Sequence, residues 1–241
     1  AYVVYILYAL GGMPFPAAVI MAFPIVALFG IATERLIFRP TRGNVLAGFM
    51  ATAGVAFILQ VLVGQFWGVG LMRSVPTPYM GSANIGGAFV SWQRLIIVPA
   101  TALMVGGLWL FLHRARAGKA LRACAQDAEA AQLQGVSLNR MTALAMALSG
   151  GFAGIAGALM APVAPVTPYM GHSYVVTAFI VVIVGGMASI EGALLASFLL
   201  GFIHTFVTTY YDAVVASMAG VLFMALVLIV KPTGLLGNVK A

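Results

Sequence analysis

Apolar stretches recur along the chain near residues 17–33, 45–65, 94–112, 141–161, 174–189, 192–209 and 213–230, separated by polar links. Each approaches the roughly 20 residues that a helix needs to cross a bilayer. None has the short apolar–polar alternation of outer-membrane strands. The pattern predicts an all-α protein, a polytopic transmembrane helical bundle with about seven full spans. Residues 1–13 are also apolar but too few to cross alone, and the chain starts at Ala1 rather than Met. They read as a truncated N-terminal helix, with the amino-terminal part of the protein expected to lie before them. The turn Gly11-Gly12-Met13-Pro14-Phe15-Pro16 divides them from the first span. At Gly185-Gly186 the pattern allows either a hairpin or a broken helix over 174–209.

Composition agrees with the pattern. Hydrophobic residues make up 63% and charged residues 7%, against about 25% charged in a soluble domain. Mean hydropathy is +1.08. The net charge of +7 is no nucleic-acid footprint, because ten of the twelve Lys and Arg residues fall within 34–44, 113–140 and 231–241. Placing those three segments in the cytosol lets the spans alternate without a parity error, as the positive-inside rule requires. The carboxyl terminus is then cytoplasmic. Residues 66–93 form the longest external segment, where Trp67 and Trp92 suit the membrane interface.

Within 141–161, small residues recur at four-residue spacing as Ala147/Gly151, Gly150/Gly154 and Ala153/Gly157. Such faces let helix backbones approach closely in lipid, which predicts a central helix packed on several sides. Pro24 lies inside the first span, where neighbouring groups must satisfy the carbonyl it leaves free.

The polar segment 113–140 is where the chain can grip something in the cytosol. Asp127 is placed to cap a short helix, and Glu129 in its first turn complements the helix dipole. Gly135 suits the left-handed position that ends such a helix, and Ser137 can cap the next. The expected product is a short helix with a compact Ala130/Ala131 face held between two turns. Without further information, a solvated connector has the same pattern.

Little else carries chemistry. Cys124 is the only cysteine, which excludes an internal disulfide and a Cys-based metal motif. His113, His172 and His204 stand far apart in sequence, so no metal site is expected. Ionisable residues are scarce within the spans, leaving proton- or sodium-driven transport little to act through. No clustered set of His, Asp, Glu, Cys or Ser suits catalysis. Gly118-Lys119 is followed by Ala120 and lacks the upstream Gly of a phosphate-binding loop, so no nucleotide or other cofactor is expected in this chain.

Several motifs in order resemble the LivH-type permeases of branched-chain amino acid ABC importers. They are Glu34-Arg35 with Arg39-Pro40, the run from Gly118 through Arg122 and Asp127 to Glu129-Ala130-Ala131, Pro168-Tyr169-Met170-Gly171, Gly185-Gly186-Met187-Ala188-Ser189-Ile190, and Pro232-Thr233-Gly234-Leu235-Leu236-Gly237. Glu-Ala-Ala with Gly135 beyond it is similar to the loop by which ABC permeases meet their ATPases. The chain departs from the family at Ala188 and Glu191, where Gly and Pro are usual, so no substrate role is carried onto Glu191.

The resemblance implies one permease domain over 1–241 in a prokaryotic plasma (inner) membrane, with 113–140 as its cytosolic coupling loop. It implies a transport subunit rather than an enzyme. The implied partners are a second homologous permease, two ATPase subunits that bind the ATP, and an extracytoplasmic amino-acid-binding protein. Residues 127–135 would form the coupling helix, with Arg116, Gly118 and Arg122 beside it. A zwitterionic solute held by helix ends would be sought at Tyr169-Met170-Gly171 and at Gly185-Gly186. Urea or short amides are an alternative cargo, and an ATP-independent secondary transporter an alternative class.

Overall fold

The computed structural model describes residues 1–41, 44–68, 73–79, 81–85, 87–186 and 189–236. Met187, Ala188 and Gly237, parts of the motifs above, lie outside the described residues. The chain divides into two compact units, Ala1–Pro168 and Tyr169–Ala241.

In the first unit a short helix α1 (Tyr2–Val4) continues as a π-helical turn through Leu10. Helix α2 (Phe15–Thr33) has Pro16 in its first turn, where a missing N–H costs nothing, and also contains Pro24. It runs on as a second π-helical segment, Glu34–Phe38. Helix α3 (Val45–Trp67) starts at Asn44, whose side chain accepts a hydrogen bond from the Ala47 amide at 3.1 Å. Within the long segment 66–93, strands β1 (Ser82–Ile85) and β2 (Ala88–Ser91) form an antiparallel hairpin with Asn84 opposite Phe89. Arg73 and Val166 exchange backbone hydrogen bonds at 3.2 and 2.8 Å, tying that segment to the stretch after α7. Helices α4 (Trp92–Arg114), α5 (Arg116–Gln126), α6 (Ala128–Leu133) and α7 (Leu138–Met160) complete the unit.

The second unit contains α8 (Gly171–Gly185), α9 (Ile190–Tyr210) and α10 (Ala213–Val230). Among the described residues, six helices are long and apolar enough to cross a membrane. The remaining predicted span, 174–189, is the 15-residue α8. It ends at Gly185 because Gly186 takes a φ of +98° and turns the chain. That settles the open choice at 174–209 as a hairpin, with Gly185 against the backbone of Ala193. The tail returns to close this end, as the Leu235 amide donates to the Val184 carbonyl at 2.7 Å. Ile180, Val184, Ala196 and Leu200 form the core there.

The tightest packing in the first unit joins α2 and α7, which run in opposite directions. A Cβ on Gly150 would lie 2.8 Å from the Val26 carbonyl oxygen, and one on Gly154 2.8 Å from that of Ala22. A Cβ on Gly30 would strike the Met146 carbonyl. Ala18 and Ala158 share a buried cluster at one end of the contact. The contacting rows are therefore Ala18, Ala22, Val26, Gly30 and Ala158, Gly154, Gly150, Met146. Each steps by four residues, the spacing of a ridge on a helix surface.

The three small-residue pairs expected to pack along α7 fare differently. Gly150 and Gly154 lie in the seam itself. Ala147 and Gly151 flank it: the Ala147 nitrogen would stand 3.6 Å from a Cβ on Gly30. The Phe23 ring covers the face of Gly151 and packs edge-on against Phe152, with centroids 5.7 Å apart. The pair Ala153/Gly157 lies outside the seam with α2. Ala153 is exposed, and Gly157 is only half-buried. A Cβ on Gly157 would meet the Ala1 nitrogen at 2.9 Å rather than any atom of α2. The seam runs through Ala158, and its neighbour Gly157 points about 100° away around the helix.

Candidate functional site

The polar stretch between α4 and α7 contains two helices, where the sequence predicts one. Helix α5 is not among the elements the sequence predicts, and it carries Gly118. In the fold Gly118 is buried, and a Cβ there would lie 2.7 Å from Leu112 Cα and collide with the Phe111 carbonyl. Glycine is what lets α5 fold back against the end of α4. Arg114, Arg116, Lys119 and Arg122 are all exposed.

Helix α6 has its ends fixed by local chemistry. Asp127 is extended, and its Oδ1 accepts from the amides of Glu129 and Ala130, both at 3.0 Å. At the other end Gly135 has φ +83°. Its amide donates to the Gln132 carbonyl at 2.9 Å, while the Val136 amide donates to that of Ala131 at 3.1 Å. This pair of bonds is the Schellman closure, which satisfies carbonyls the helix would otherwise leave open. Ser137 begins α7 but makes no side-chain cap; its carbonyl instead accepts from Met141 at 3.2 Å.

The expected Ala130/Ala131 face does not form. Ala131 is buried against its own chain, while Ala130 is exposed. Ala131 is the position turned inward on this short helix, so the two do not lie open together. The outward face consists of Glu129, Ala130 and Leu133, related by three- and four-residue spacing. Leu133 is 88% exposed. The signal that finds it is a lone Leu in an otherwise polar turn.

In the second unit Tyr169 is exposed, Met170 is half-buried and Gly171 opens α8. The next residues, His172 and Ser173, line a cavity of about 730 Å³ with Thr177, His204, Thr205 and Ser217. Gly185 and Gly186 sit at the far end of α8, about 21 Å away at 1.5 Å per residue. The two groups are therefore not brought together. The hairpin turn accounts for glycine at 185 and 186 without any solute.

Glu34 is a residue that sequence reading misplaces. The polar link is expected to begin at 34, yet the helix continues through Glu34 and leaves it 2% exposed. The hydroxyl of Thr142, on α7, lies 2.9 Å from Glu34 Oε1. Nothing near Glu34 in sequence signals this, since its partner is 108 residues away.

Comparison with known proteins supplies what geometry alone does not. The profile of the family described as "Branched-chain amino acid transport system / permease component" matches residues 1–231. The chain is 30% identical to the high-affinity branched-chain amino acid transport system permease protein BraD of Pseudomonas aeruginosa, over 92% of this chain and 74% of that protein. It is 30% identical to LivH of Salmonella typhimurium and 28% identical to LivH of Escherichia coli K12, with the same coverage. No solved structure matches it.

Proposed function

The chain belongs to the permease components of branched-chain amino acid transport systems, and on that premise we propose that it is the membrane subunit of an ATP-driven importer for leucine, isoleucine, valine or a related amino acid. It works in a prokaryotic plasma membrane with its carboxyl terminus in the cytoplasm. A second homologous permease, two ATPase subunits and an extracytoplasmic binding protein complete the machine. The chain holds no phosphate-binding loop of its own, in keeping with ATP hydrolysis on separate subunits.

The observation that carries this reading is the closed, outward-facing α6. A six-residue helix is too short to be stable alone. Here a side-chain cap fixes one end and a Schellman turn the other, leaving Glu129, Ala130 and Leu133 open to a partner. An exposed Leu beside a small Ala suits insertion into a groove, where a buried apolar anchor supplies much of the binding energy. Closure of the ATPase pair on ATP moves α6, and α7 begins five residues after it ends. The membrane helices then tip between outward- and inward-open states, provided that the partners bind the two states unequally.

Reconstitution of the transporter in liposomes tests the proposal. Leucine, isoleucine or valine should enter only with ATP and the binding protein, and excess unlabelled urea should not compete. Uptake that persists without ATP would overturn the reading in favour of a secondary transporter. Competition by urea or short amides would replace the substrate class and leave the mechanism standing.

A further inference from the structure

The rows of α2 and α7 described above do not stop at Gly30 and Met146. One further step of four along each helix reaches Glu34 and Thr142, and these are the two residues joined by the 2.9 Å hydrogen bond. The contact is thus a ladder of close backbone approaches closed at one end by a buried polar rung.

We infer that Glu34 and Thr142 are positioning residues that lock α7 to α2 at the end nearest the coupling helix, so that displacement of α6 moves both membrane helices as one body. This rests on the reading of α6 proposed above.

Three features support the lock. First, an ionisable side chain buried in a membrane helix is rare and costly, so its retention calls for a compensating role. Second, Thr142 stands in the first two turns of α7, on the helix that the Schellman turn joins directly to α6. The Thr142 hydroxyl also lies 3.1 Å from the Leu138 carbonyl and 3.2 Å from that of Asn139, and Glu34 Oε1 is the nearest of the three acceptors. Third, the helix changes from α to π winding at Glu34 itself. Above the rung the rows meet through packed backbone, and close packing resists separation more than it resists sliding. A directional bond to a carboxylate fixes the register.

The test uses the whole transporter in liposomes and measures leucine uptake and ATP hydrolysis together. Thr142→Val keeps the shape and removes the donor, while Thr142→Ser keeps the donor. Thr142→Val should retain the ATPase subunits and hydrolyse ATP, yet lose up to about tenfold in leucine moved per ATP, the scale of one hydrogen bond. Thr142→Ser should restore the ratio. Glu34→Ala should resemble Thr142→Val, and the double variant should be no worse than either alone. If Glu34→Ala fails to reach the membrane, the two Thr142 variants carry the test. An unchanged ratio in Thr142→Val would overturn the lock and leave the importer reading intact. Uptake without ATP in the unaltered transporter would overturn both.

Discussion

Gly150 of α7 lies so close to α2 that a Cβ would come within 2.8 Å of the Val26 carbonyl oxygen. Lipid offers no hydrophobic drive for helices to associate, so this backbone approach is itself a main source of cohesion between them. Gly150→Leu and Gly154→Leu should therefore each destabilise the permease by about 1–3 kcal/mol, the usual scale of overpacking. Thermal unfolding in detergent measures it. Gly106→Ala on α4, with nothing within 4 Å of the added carbon, should leave the melting temperature unchanged or higher.

The cap of α6 gives a second expectation. Asp127→Ala removes the acceptor for two amides and should cost about 1 kcal/mol of local stability. Hydrogen exchange at Glu129 and Ala130 should speed up accordingly. Asp127→Asn retains an oxygen acceptor and should leave exchange nearly as it is.

The tail of the second unit is pinned by backbone bonds. Gly186→Ala places a side chain at φ +98° and ψ 125°, at a cost of about 1–3 kcal/mol. The turn that presents the Val184 carbonyl should loosen, and exchange of the Leu235 amide should rise. Gly201→Ala on α9, where an added carbon meets nothing within 4 Å, should have no such effect.

Much of this architecture is legible in the sequence, for reasons that differ by element. The long spans follow from length and apolarity alone, so α2, α3, α4, α7, α9 and α10 fall where the pattern puts them. The ends of α6 are legible because Asp127 and Gly135 act on neighbours two to four residues away. What escapes is whatever depends on distant chain. Gly118 gives no local sign of the end of α4 that presses against it, and Glu34 looks like a solvated charge until Thr142 arrives. Four-residue spacing identifies every small ridge on α7 but not the one that meets α2, so Gly150/Gly154 and Ala153/Gly157 read alike. The glycines at 185 and 186 suggest a solute site because a broken helix exposes backbone groups. In the fold, Ala193 packs against the Gly185 backbone and the returning Leu236 amide donates to the Gly185 carbonyl at 3.3 Å. Burial on α6 depends on how the short helix lies against its own chain, which turns Ala131 inward and leaves Ala130 exposed.

Leu133 offers an apolar side chain to water in the separated chain, and it should be the anchor of the ATPase contact. Leu133→Asp should weaken ATPase retention about tenfold or more, without altering membrane insertion. Quantitative pull-down of the ATPase subunits against detergent-washed permease reads the change. Leu133→Met should be tolerated.

Site-specific photo-crosslinking tests the central claim most directly. A benzophenone amino acid placed at Leu133 in the assembled transporter should form an adduct with the ATPase subunit. The same group at Leu103, an outward position on α4 that is 78% exposed, should not. Transport of leucine that depends on ATP, together with an ATPase adduct at 133 alone, is the result the account predicts. An ATPase that remains bound to the permease but is never captured from 133 would contradict it.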